Sequence, residues 1–221
     1  MFKYILLLPL CFAWNPKKYP FDPRIHTLGN HGNLGKLHSL LAPAFTTFLD
    51  KVIYKKNIRK EIIDSQGDRC RILDVGCGTG FSTSNTQGSV GIDLSDEMLN
   101  MANVLFRNKT FVRDDAESYH FEQDFDVVSS MFLMHEVPQG ARRRIIEHAK
   151  ETALKRVIFV DISPNYLPSK MMEDGEPYIR EYLKNIRKDL HDFEEEILIP
   201  GHVHIWVWNN ISSNIFTHLN I

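Results

Sequence analysis

Cysteine is scarce in this chain of 221 residues. Cys11, Cys70 and Cys77 make no disulfide framework. No C-x-x-C, H-E-x-x-H or EF-hand loop occurs, and His135-Glu136 lacks the further histidine of a zincin, so no metal centre is expected. Charge of one sign is lacking as well. The net charge of −2 gives no global field for nucleic acid, and Arg142-Arg143-Arg144, with Glu147 on the same helix, reads as a solvated face. The apolar run from Tyr4 to Trp14 is too short to cross a bilayer as a helix, so no stable membrane span is expected. Internal repeats and low-complexity tracts are absent. What remains is a chain that is 43% hydrophobic, enough to bury one full core.

Strand and helix patterns alternate along the middle of the chain. Strands are expected at 71–75, 89–93, 109–113, 125–130 and 156–161. Helices are expected at 81–86, from Ser95 to about 106 with Ser95 as cap, and from 139 to about 153. Upstream, 16–35 reads as an irregular arm rich in Pro, Gly and Asn, and 36–64 as helix interrupted at Pro43. Downstream, 163–175 reads as a loop with two prolines and 177–194 as a helix. The segments 195–199 and 203–208 flank Pro200-Gly201-His202 as a hairpin. The alternation implies an α/β fold, a doubly wound parallel sheet with helices on both faces.

The most informative stretch is Ile72-Leu73-Asp74-Val75-Gly76-Cys77-Gly78-Thr79-Gly80, a buried strand running into a glycine turn. Glycines there permit positive φ and let backbone amides approach a ligand. A second acid, Asp93, closes the strand-like Val90-Gly91-Ile92-Asp93. Two acids at neighbouring strand ends beside such a turn suit an adenosine with a free ribose diol. A dinucleotide fingerprint is spaced G-x-G-x-x-G and cradles an anion, beside which Asp74 would be repulsive. Asp74 suits a ligand carrying an ammonium and a sulfonium instead.

With this acid-x-G-x-G-x-G turn and Asp93, the chain resembles the class I S-adenosylmethionine-dependent methyltransferases, in their small-molecule, type 11-like branch. The resemblance covers roughly 71–209. It implies a Rossmann-like, mostly parallel seven-stranded sheet ending in an antiparallel hairpin, with S-adenosyl-L-methionine as cofactor. It places Gly76, Cys77, Gly78 and Gly80 around the methionine part, Asp74 toward the ammonium and Asp93 with Leu94 at the ribose. Met98 would pack on adenine, and Asp115-Ala116 would meet its amino group, with Asp114 standing where the family has glycine. Cys77 reads as a small filler rather than a nucleophile. Met131 and Phe132, at the end of the fourth strand, would line the methyl side. His135 is the candidate for substrate contact, and His135 or Asp161 the candidate base for a hydroxyl acceptor.

No Asn/Asp-Pro-Pro-aromatic motif and no Pro-Cys nucleophile is present, which leaves a small-molecule acceptor with N, O, S or C as the methylated atom. Two lids are expected over the pocket. One holds Tyr19, Phe21, His26, His31 and His38; the other holds Met171, Met172, Glu176, Tyr178 and Tyr182. Two rival readings stand beside this one: an NAD(P)-dependent oxidoreductase on a Rossmann-like fold, which tight dinucleotide binding would reveal, and a non-catalytic S-adenosylmethionine-binding module, which would bind without turnover. The domain plan is a targeting or packing segment at 1–15, a lid at 16–69, the cofactor-binding core at 70–209 with a lid helix at about 164–194, and a tail at 210–221. The apolar run from Tyr4 to Trp14 has the size of a signal-peptide core with a cut after Ala13, and Cys11-Phe12-Ala13-Trp14-Asn15-Pro16 loosely resembles the start of the leaders of some algal plastid proteins. Sequons at Asn108 and Asn210 would matter only in a secretory lumen. A cytoplasmic or plastid location is expected, and the oligomeric state is not legible.

Overall fold

A computed structural model describes residues 25–210. The expected targeting segment, Tyr19, Phe21 and residues 211–221 lie outside the described residues. Seven strands form one sheet: β1 (Ile72–Val75), β2 (Val90–Asp93), β3 (Phe111–Arg113), β4 (Phe125–Met131), β5 (Ala153–Ile162), β6 (Glu194–Ile199) and β7 (Val203–Asn209). Their order is β3-β2-β1-β4-β5-β7-β6. The first five run parallel, β7 is antiparallel to β5, and β6 is antiparallel to β7. The strand order reverses beside β1, so the crevice at the carboxyl ends of β1 and β4 is where such a sheet receives a ligand.

The strands read as continuous apolar runs because both faces are covered. Alternation sends Leu73, Val128, Val157, Phe159 and Trp206 to one face. There they pack under α4 (Gln139–Thr152) and α6 (Ile179–Asp189). Ile72, Val127, Ile158, Val160 and Ile205 go to the other face, against Ile58 and Ile62 of α2 (Ile58–Asp64). The remaining helices are α1 (Gly32–Phe48), α3 (Asp96–Leu105) and α5 (Lys170–Gly175). Ser95 caps α3 by accepting the Met98 amide at 3.1 Å. Among the described residues no helix is long and apolar enough to cross a membrane.

Three local expectations are corrected. Residues 81–86 form no helix: the β1–β2 connection is irregular, because the Ser82 and Thr83 hydroxyls are spent on Asp74 rather than on a helical turn. Pro43 does not interrupt α1, which starts at Gly32 and passes through it. The ring's fixed φ is itself helical, so only one backbone bond is lost. A π-helical turn at Leu49–Ile53 ends that helix instead. Downstream, α6 is shorter than expected, and α5 occupies part of the expected loop, capped by Ser169 onto Met172.

Candidate active site

The glycine turn is built by sterics. Gly76 has φ of 71°, and a Cβ there would lie 2.8 Å from Leu133 Cδ2. Gly80 has φ of 84°, and its Cβ would meet the Phe111 ring at 2.6 Å. Neither position admits a larger residue without displacing its neighbour. The turn is tied to β2, since Gly76 and Cys77 donate their amides to the Ile92 carbonyl at 2.9 Å. Lys109 holds the Gly80 carbonyl, also at 2.9 Å.

Asp74 and Asp93 differ in placement. Asp74 is fully buried and does not line the cavity beside the turn. Its Oδ2 accepts from Ser82 at 2.8 Å and Thr83 at 2.6 Å, while Oδ1 has no partner. Burial pushes its carboxyl upward against those two hydroxyl bonds. Asp74 therefore holds the connection that follows the turn and is not part of the cavity wall. Asp93 does line the cavity. Its Oδ2 accepts the Gly78 amide at 2.9 Å and its Oδ1 the Ser95 amide at 2.8 Å. Each oxygen keeps a lone pair for a further donor, which is what a pair of ribose hydroxyls offers.

Burial raises the Asp93 carboxyl to about 6, despite the two amide bonds. Its folded value thus lies above the unfolded one, so ionised Asp93 opposes folding above that pH, and protonation favours the fold as pH falls below it. For a ligand held by the ionised form the dependence is the reverse. Affinity for S-adenosylhomocysteine, measured by calorimetry, is expected to fall about tenfold per pH unit below about 6. Asp93→Ala is expected to cost about 1–3 kcal/mol of that affinity at neutral pH. An unchanged Kd would remove Asp93 from the ribose position.

Gly76, Cys77 and Gly78 line the same cavity, as do Leu94, Met98, Asp115, Ala116 and Met131; Gly80 and Asp161 do not. Cys77 is buried with its thiol held well above the usual range by that burial, which leaves it no nucleophilic character. Asp114, in the place of the family glycine, needs no positive φ and accepts the Asp115 amide at 2.8 Å.

The end of β4 carries the polar chemistry. Phe132 has φ of 67°, a strained conformation for a bulky residue, and directs the chain across the cavity. His135 follows, buried, with Nδ1 2.6 Å from Asp161 Oδ1. Asp161 also accepts the His135 and Ile162 amides. Burial alone would lower the imidazole's value, but the Asp161 carboxylate outweighs it and holds His135 at about 9. Asp161 is thus an orienting partner inside the protein, while His135 reaches the cavity. Arg142 anchors the loop that carries His135. It is fully buried, binds Asp189 at 2.9 Å and donates to the Met134 and Val137 carbonyls at 3.1 Å. The solvated-face reading therefore holds for Arg143 and Arg144, whose side chains are exposed, and fails for Arg142.

The lid residues missed as a unit are His26, Glu136 and Glu176. His26 Nε2 lies 2.8 Å from Glu136, and its Nδ1 lies 2.7 Å from Glu176. One imidazole joins the 3₁₀ turn at Ile25–Thr27, the loop after β4 and the end of α5. Burial opposes its charge, but the two carboxylates outweigh that and hold its value well above normal. The sequence marks His26 and Glu176 as residues of separate lids, and Glu136 only by its adjacency to His135. The arm is also fastened to α3: Ser95 Oγ donates to the Asn30 carbonyl at 2.5 Å, and the Gly32 amide donates to Glu97 at 2.7 Å. Met171, Met172 and Glu176 line the cavity as expected, whereas Tyr178 and Tyr182 are packed in the core. Tyr182 spends its hydroxyl on the Ile162 carbonyl.

Together these elements line a cavity of about 930 Å³ that is partly open to solvent. That is at the upper end of ligand sites. Residues 72–155 match the family model described as a methyltransferase domain. No curated protein sequence matches the chain. Among solved structures, the chain is similar to the DhpI complex with S-adenosylhomocysteine, at 17% identity and a TM-score of 0.57, covering 79% of this chain and 93% of that one. It is also similar to magnesium protoporphyrin IX methyltransferase (ChlM) from Synechocystis PCC 6803 with bound S-adenosylmethionine. There the identity is 16% and the TM-score 0.52, over 73% of this chain and 82% of that one. A third similar structure is the TehB-like methyltransferase from Corynebacterium glutamicum ATCC 13032, at 17% and 0.51, over 77% and 97%.

Proposed function

We propose that this chain, whose residues 72–155 form a class I S-adenosylmethionine-dependent methyltransferase domain, methylates a small-molecule acceptor held beneath α1 and α5. The observation that carries the acceptor class is the cavity itself. At about 930 Å³, with the His26–Glu136–Glu176 bridge in its wall, it has room for the cofactor and one further small molecule. The ChlM structure supports the same reading through the porphyrin its name carries, and the DhpI structure supports the cofactor.

The residues present fit the cofactor. The glycine turn leaves its backbone open to the cavity, a Cβ at Gly78 would meet nothing within 4 Å, and Asp93 presents a carboxylate beside it. Gly76 to Gly78 would hold the methionine part, Asp93 the ribose, and Met98 with Ala116 the base. When bound, S-adenosylmethionine supplies a methyl group already activated on a sulfonium. The protein's share is then alignment, exclusion of water and, for a protic acceptor, removal of a proton. His135 serves that last role. Asp161 fixes Nδ1, which leaves Nε2 as the proton-accepting atom, and His135 gives up its proton more readily with a cation in the same cavity.

The test is transfer of tritium from methyl-labelled S-adenosylmethionine into an extract of the source organism, followed by ultrafiltration. Label is expected in the low-molecular-mass filtrate, and to be missing with Asp93→Ala. Label confined to retained protein or nucleic acid would overturn the small-molecule reading while leaving the methyltransferase assignment intact.

A further inference from the structure

We propose that the exposed apolar arc of α1, which runs from the mouth of the cavity onto the surface, is a docking surface for an anionic phospholipid bilayer. The helix is amphipathic with its faces reversed. Its buried residues are the small Gly35 and Ser39, and a Cβ at Gly35 would fall 2.5 Å from the Asn30 carbonyl carbon. Leu34, Leu37, Leu40, Leu41, Phe45 and Phe48 recur at steps of three and four on the opposite arc, and all are exposed, Leu40 and Phe45 at 63%. A soluble domain normally turns such an arc inward. A contiguous exposed patch of this kind marks an interaction surface.

Charge selects the partner. Residues 32–56 carry Lys36, Lys51, Lys55 and Lys56, all exposed, against the single acid Asp50, which is buried and bound by Arg59 at 3.0 Å. Four lysines less one aspartate give this segment +3 in a chain of net −2. An apolar arc with lysines around it is the pattern of helices that lie in a membrane interface and are drawn to anionic headgroups. Self-association would instead bring two basic segments together, which like charge opposes. The patch is also continuous with the cavity, since Leu41, Phe45, Phe48 and Ile53 both face solvent and line it. A docked α1 would open the cavity onto the bilayer. On the methyltransferase reading above, that admits an acceptor dissolved in lipid; the docking itself does not depend on that reading.

The experiment is flotation of the full chain with vesicles of phosphatidylcholine alone and of phosphatidylcholine mixed with phosphatidylglycerol. At least about tenfold more protein is expected on the anionic vesicles, falling with added salt. Leu37→Glu/Leu40→Glu, at positions outside the cavity lining, is expected to abolish that binding, and Lys36→Glu/Lys51→Glu/Lys55→Glu to weaken it at least about tenfold. Unchanged flotation of the leucine variant would overturn the proposal. So would loss of flotation when Leu6, Leu7 and Leu8 are changed to Ser, or a chain that ignores vesicles and sediments as a dimer dispersed by the leucine variant. Calorimetry of the same variants with S-adenosylhomocysteine keeps the cofactor site under separate test.

Discussion

Replacing His135 with Ala is expected to lower turnover about 10²–10⁴-fold and to leave the cofactor Kd within about threefold. The asymmetry follows from placement. His135 lines the cavity and is hydrogen-bonded to Asp161, whereas Asp93 is held by Gly78 and Ser95. Removing His135 deletes a proton acceptor without disturbing the ribose position. The free protein holds His135 protonated up to about 9, so kcat/KM is expected to rise with pH toward that value. Asp161→Asn removes the carboxylate that sustains the charge, and the rising limb is expected to move to lower pH. A merely structural role for Asp161 would lower activity without moving the limb. The pair also has a stability signature. Its folded value lies above the ordinary 6.5, so its contribution is complete below that pH and is lost as pH rises through about 9.

Arg142→Ala is expected to lower the free energy of unfolding by about 3–5 kcal/mol, read as a shifted urea midpoint at an unchanged slope. The substitution leaves Asp189 buried with its charge opposed only by Arg143, and strips the Met134 and Val137 carbonyls of their donor. Arg142→Met/Asp189→Leu removes both buried charges and is expected to recover much of the loss. If the single variant were as stable as the parent, Arg142 would not be the anchor of the His135 loop.

Most of the sheet was legible because parallel strands covered on both faces leave an apolar signature that little else produces. Residues 72–75, 90–93 and 156–161 carried it plainly. The glycine turn and Asp93 were legible because backbone geometry there admits few residue types. Three features were not. Residues 81–86 read as helix because periodicity cannot show that Ser82 and Thr83 point inward to Asp74. Arg142 read as surface because its partner Asp189 lies 47 residues away. The His26–Glu136–Glu176 bridge joins three distant segments, and only their meeting in space gives it meaning. Asp74 shows the same limit in reverse. The motif marks Asp74 for the ligand, whereas its burial places it outside the cavity wall, bound to Ser82 and Thr83.

The glycine turn and Asp93 are proposed to form a site for S-adenosylmethionine. Calorimetric titration of the protein with S-adenosylmethionine, S-adenosylhomocysteine and NAD tests it most directly. Micromolar binding of both sulfur compounds, weakened in Asp93→Ala, and no binding of NAD are expected. Binding of NAD alone, or of none of the three, would contradict it.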